Sequence, residues 1–216
     1  YLPHMKKCFF IAVLFITGTT AFSQSEKFTQ AMKNNLVRFD SARTGDELLS
    51  LAAAFERIAE AEKNQWLPYY YAGFCQVLYG FRKNDPASND AIADKAAQLL
   101  KKAEELEKSN SEIACVKSMV ASLRMLVDPQ TRWQQYGATV MAEIEKAKSL
   151  DPANPRPYYL QGQNLRFTPE QFGGGCAAAK PLLEEALKKY ETFQPASEIH
   201  PSWGKPQVAQ LLEGCK

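Results

Sequence analysis

The residues able to do chemistry are few and scattered. Two histidines occur, His4 and His200, and His200 lies in a proline-bounded turn, Ile199-His200-Pro201. A lone histidine there reads as a surface residue. A zinc site needs clustered cysteine, histidine or carboxylate ligands, and neither a C-x-x-C nor an H-x-x-x-H spacing is present. A Cys–His nucleophile needs a thiol beside a positioned base, and no motif supplies that pair. Phe172-Gly173-Gly174-Gly175-Cys176 precedes a helical stretch, as phosphate-cradling loops do, but it lacks a preceding strand and a G-K-[ST]. It reads as a flexible turn. Glu104, Glu105 and Glu107, like Glu184 and Glu185, alternate with lysines at helical spacing and form solvated faces. The sequence predicts no catalysis, no metal and no cofactor.

Charge and the N-terminus bound the setting. Lys and Arg number 26 and Asp and Glu 24. Residues 1–23 carry Lys6 and Lys7 and no acid, which leaves 24 cations against 24 acids in the remainder. A neutral chain has no electrostatic footprint for nucleic acid or an anionic membrane face. Met5-Lys6-Lys7 is a basic start, Cys8 to Ile16 is apolar, and Ala21-Phe22-Ser23 offers small residues for cleavage. That apolar run falls far short of the ~20 residues that span a bilayer. We expect a signal peptide over 1–23, cleavage after Ser23, and a periplasmic or secreted mature chain without a transmembrane span. Tyr1 to His4 precede the natural-looking start at Met5.

Beyond residue 24 the apolar residues recur at helical spacing. Phe28, Met32, Leu36 and Phe39 share one face of a first helix over about 26–42. Thr44-Gly45-Asp46 breaks it, with Asp46 placed to cap the next, which carries Leu48, Leu51, Phe55, Ile58 and Ala59. An internal repeat organises the rest: Trp66 to Gly73 and Pro155 to Gly162 both read x-x-Pro-Tyr-Tyr-x-x-Gly. The proline suits a first helical turn, the aromatic pair fills the space between helices, and the glycine lets a partner helix come close.

Lys146-Ala147 through Leu150-Asp151-Pro152-x-Asn154, followed by the aromatic pair and Gly162, resembles the boundary between two tetratricopeptide repeats. The resemblance implies an exported, all-α chain of antiparallel helix pairs, stacked as a short TPR-like α-solenoid. Residues 24–216 then form one helical-repeat domain, with units at about 26–65, 66–110, 111–154 and 155–196 and a capping helix at 203–215. The two middle units exceed the family's usual period, the extra length falling in the turns inside pairs, and the third unit has Ser118 where the glycine is expected.

In the resembled family, first helices line a concave groove that binds peptides. Packing in helix seams accounts for most of the aromatics. Tyr70, Tyr71 and Tyr159, with Arg156, Gln163 and Arg166, are the expected exposed groove residues, since Tyr and Arg are common interface anchors. Four cysteines follow the leader, and an oxidising compartment permits three full pairings or none. Antiparallel succession brings Cys176, at the start of the last unit's second helix, near Cys215 at the end of the cap; a Cys75–Cys115 bridge fits less well. The favoured function is a scaffold for a protein or peptide partner. The alternative is a small-molecule or substrate-binding module that uses the aromatic faces as a pocket. The oligomeric state stays open.

Overall fold

A computed structural model describes residues 26–215, so the expected leader lies outside the described residues. Among the described residues nine α-helices follow in order: α1 Glu26–Ser41, α2 Gly45–Ala61, α3 Trp66–Lys83, α4 Asn89–Leu106, α5 Ser111–Met125, α6 Pro129–Leu150, α7 Arg156–Phe167, α8 Cys176–Thr192 and α9 Lys205–Glu213. Short 3-10 turns at Pro86–Ser88 and Glu170–Phe172 lengthen two connections. No strand occurs among the described residues.

Local chemistry sets the helix ends. Thr44, not Asp46, caps α2: its hydroxyl accepts from the Glu47 N–H at 3.2 Å, and the Glu47 carboxylate accepts from the Thr44 N–H at 2.8 Å. Only the residue three before Glu47 can close that reciprocal box, which is why Asp46 loses. Asn110 caps α5 by accepting from the N–H groups of Glu112 and Ile113, and Asp128 caps α6 through Thr131. Pro68, Pro129 and Pro157 stand in first turns, where no N–H is needed.

The helices pack as successive pairs, α1/α2, α3/α4, α5/α6 and α7/α8, with α9 against α8. Close approach within pairs rests on the repeated glycine. A Cβ on Gly73 would lie 3.1 Å from Leu100 of α4, and one on Gly162 would lie 2.8 Å from Leu183 of α8. The core runs through α3 and α5, with Tyr70, Phe55, Leu67, Leu100, Ile113, Leu123 and Ile144 fully enclosed. Fully burying one such side chain stabilises by about 1.5–3 kcal/mol.

The capping helix starts later than expected. Trp203 precedes α9, and Gly204 is its N-cap. Residues 193–204 therefore form an irregular strap between α8 and α9.

Candidate functional site

Among the first helices, α3 packs against α5 and α5 against α7, and the strap touches α1, α3 and α7. Trp203 is its anchor. Its ring packs on Phe74 at 4.7 Å and edge-on to Tyr159 at 6.2 Å. Its Nε1 donates to the Tyr70 hydroxyl at 2.8 Å, while the Tyr190 hydroxyl donates to its carbonyl at 2.8 Å. His200 packs edge-on against Trp66, and its Nδ1 shares a 2.7 Å hydrogen bond with the Ser197 hydroxyl. Glu198 pairs with Lys33 of α1. Ile199 and Pro201 are buried beneath.

A buried polar cluster holds the strap from below. Arg156 is wholly enclosed, donating to the Glu112 carboxylate at 2.7 Å and to the Pro201 carbonyl at 2.6 Å. Its guanidinium lies between the rings of Phe193, at 4.8 Å, and Trp203, at 5.2 Å. Asn154 donates to Glu112 at 2.8 Å and to the Ser111 hydroxyl at 3.0 Å, and accepts from the Arg156 N–H. Burial pushes the Glu112 carboxyl up to about 7 against the opposing pull of Arg156.

The residues expected on an open groove are accordingly displaced from that role. Tyr70, Tyr71, Tyr159 and Arg156 are buried. Tyr70 and Tyr71 lie on α3, which is packed by α2, α4 and α5, and the strap covers Tyr70 together with Tyr159 and Arg156 of α7 through Trp203 and Pro201. Gln163 and Arg166 are half-buried; Gln163 donates to Tyr159 at 3.1 Å, and Arg166 donates to the Gly214 carbonyl at 3.4 Å. The groove expected to receive a protein or peptide partner holds the chain's own residues instead. Trp133 is 59% exposed near the start of α6, a second helix.

Cys176 and Cys215 form a disulfide, with 5.3 Å between their Cα atoms. It closes α8, the strap and α9 into one covalent loop. Cys75 and Cys115 are free and buried, and burial pushes both thiols up, away from reactivity. Gly173 and Gly175 have positive φ and shape the turn before α8.

Sequence reading missed Glu112, Asn154, Phe193 and Trp203 as parts of the cluster. One signal pointed there. Arg156 opens α7, and a cation at a helix N-terminus opposes the macrodipole. A charge so placed needs an acid nearby, though nothing local in sequence says which.

Among the described residues the surface carries open clefts, two of which bear on ligand binding. One, of about 310 Å³, lies over α5 between α4 and α6, with a floor of Ala97, Val120 and Ala121 and a wall of Tyr136. Its cations are engaged: Lys117 with Glu104 and Glu143, Arg124 with Asp90 and Asp94, each within 4 Å. The other, of about 420 Å³, lies between α1 and α2, with Phe28, Ala31, Ala54, Ile58 and Ala61 beneath Lys27, Arg38 and Arg57. Both sizes suit a small-molecule ligand. No cluster of three metal-ligating side chains occurs among the described residues. None of their helices is long and apolar enough to cross a membrane.

No family model matches the chain, so the tetratricopeptide resemblance is one of architecture. No curated protein matches it either. A solved structure does: a "HusA haemophore from Porphyromonas gingivalis", 40% identical, with 90% of this chain and 95% of that chain covered at a TM-score of 0.80.

Proposed function

This chain belongs to the family of the HusA haemophore, and from that premise we propose that it is an exported, non-catalytic carrier of haem or a closely related tetrapyrrole. The observation that carries the proposal is the 40% identity sustained over 90% of the chain. The strap over α3 and α7 adds support. With Trp203 seated on Phe74 and Tyr70, a peptide would first have to displace the strap, whereas a small flat cargo can use a surface cleft. The proposal thus favours the small-molecule alternative over the peptide scaffold.

The available chemistry suits holding without reacting. His200 shares its Nδ1 with Ser197 and packs edge-on against Trp66, and the free thiols are buried. Apolar floors with cationic rims can cover the face of a tetrapyrrole and meet its carboxylates, so retention rests on burial and charge. Export places such a carrier outside the cytoplasm, where the Cys176–Cys215 bridge persists.

Titration of the mature chain with haemin, followed by absorbance and by quenching of tryptophan fluorescence, tests the proposal. Saturable binding is expected, with a melting temperature that rises with ligand concentration by mass action. A featureless, non-saturating titration would sink it.

A further inference from the structure

We infer that the Cys176–Cys215 bridge is a thiol–disulfide exchange site whose substrate is a dithiol, and that its reduction undocks α9 from a chain that stays folded. This stands apart from the carrier reading. Helix α9 has nine residues, six of them exposed, and buries one side chain fully, Val208. Leu211 and Leu212 add half-buried contacts. A helix that short is marginal in water unless something docks it. The bridge supplies the tether at its far end, where Cys215 follows the C-cap Gly214 and meets Cys176 at the start of α8. At its near end Gly204, with φ +115°, separates α9 from the Trp203 anchor. Helix α9 packs on α8 and α7 alone, so cutting the bridge leaves the core through α3 and α5 in place. It also removes the covalent brace from the strap over Tyr70 and Tyr159.

The placement of the bridge gives the exchange a direction. Both cysteines are half-buried, and Gly173, Ala177 and Gly214 beside them are exposed, so a thiol can approach. The two sulfurs are not equivalent. Cys176 is the first residue of a 17-residue helix that has no side-chain cap, and the positive end of a helix stabilises a thiolate. Cys215 lies just past the C-terminal end of α9, where the dipole disfavours one. Arg166 and Glu170 bring one charge of each sign to the bridge, so the helix ends decide. One thiolate of the incoming dithiol attacks Cys215 Sγ, the S–S bond breaks, and Cys176 leaves as the better-stabilised thiolate. The second thiol of the dithiol then gives up its proton and attacks its own partner sulfur in the mixed disulfide. Cys215 leaves and takes up a proton. Two electrons have passed from the dithiol, now a disulfide, to the bridge, now two thiols. Cys75 and Cys115, both buried and free, stay out of reach.

The test treats the mature chain under native conditions with glutathione or with dithiothreitol, alkylates the thiols with N-ethylmaleimide and maps the peptides. With glutathione, the mixed disulfide on Cys215 with Cys176 alkylated is expected to exceed the reverse adduct by at least about fivefold. With dithiothreitol, alkylation is expected at Cys176 and Cys215 and not at Cys75 or Cys115. Amide exchange in the reduced chain should be at least about tenfold faster across α9 and unchanged in α3 and α4. Alkylation of all four cysteines, or a reduction rate that climbs with urea in step with global unfolding, would show that the bridge opens only in the unfolded chain and overturns the proposal. A dominant adduct on Cys176 overturns it as well, and so does α9 exchange that reduction leaves unchanged. Haemin binding by the oxidised chain tests the carrier reading separately, and neither result decides the other.

Discussion

Arg156 donates through Nη2 to the carbonyl of Pro201 at 2.6 Å, which fastens the first turn of α7 to a residue 45 positions on. The same guanidinium pairs with Glu112 of α5. One buried cation thereby ties two successive first helices to the strap that covers them. Removing one partner of a buried charge pair is costly because the other is left uncompensated.

Arg156→Met keeps the side chain's bulk and removes its donors. We expect a loss of about 2–4 kcal/mol in urea unfolding. Hydrogen exchange should rise across residues 193–204 and stay unchanged in α4. Unaltered exchange in the strap would show that it is held by Trp203 packing alone.

The disulfide spans a sequence separation of 39, and in the loop-entropy description a bridge of that span contributes about 4 kcal/mol. The double variant C176S/C215S should lose a comparable amount against wild type in guanidinium unfolding. Because the strap lies within the closed loop, its exchange should accelerate together with that of α9. A change of under about 1 kcal/mol would mean that the reduced, unfolded chain is already constrained.

Glu112 gives the fold a pH dependence of definite sign. Its carboxyl titrates near 7 when folded, against an ordinary value of 4.5, because burial disfavours the charged form. Between those values the native state holds a proton that the unfolded chain has released. The stabilisation is fully present below about pH 4.5 and is lost as pH rises through 7, by ~3 kcal/mol at most. The stability difference between wild type and Glu112→Gln should therefore vary across pH 4.5–7.5. A difference constant over that range contradicts it.

Gly204 is required where the strap enters α9. Its φ is +115°, and a Cβ there would lie 1.9 Å from the Tyr190 hydroxyl that donates to Trp203. Gly204→Ala should cost roughly 2–3 kcal/mol, combining strain with a broken contact. Adding Tyr190→Phe should relieve part of the clash. A fully additive double variant would argue against that coupling.

The helical architecture was legible because local rules carry it. The apolar spacing of Phe28 and Met32, or of Ala96, Leu100 and Ala103, fixes which face of a helix turns inward. The paired Pro-Tyr-Tyr-x-x-Gly segments mark two first helices, and their glycines meet Leu100 and Leu183 as close packing demands. The antiparallel succession of helices was enough to set Cys176 near Cys215.

Helical phase failed where solvent exposure had to be judged. Tyr70 and Tyr159 lie on first helices as expected, yet they are covered. The cover comes from Trp203, whose Nε1 meets Tyr70 across 133 residues. The buried partnership of Glu112 and Arg156 is likewise separated by 44 positions. That Lys27, Arg38 and Arg57 make no ion pair among the described residues, while Lys117 does, could not be told from residue type.

Sequence alone determined that this protein is a set of amphipathic helices in antiparallel pairs, since periodicity, caps and close-packing glycines act over one or two turns. Only the tertiary structure decided that the strap covers the aromatic faces of α3 and α7 and that Lys27, Arg38 and Arg57 at a surface cleft make no ion pair among the described residues. Those outcomes depend on which distant side chains arrive at the same place, and a local pattern holds no record of that.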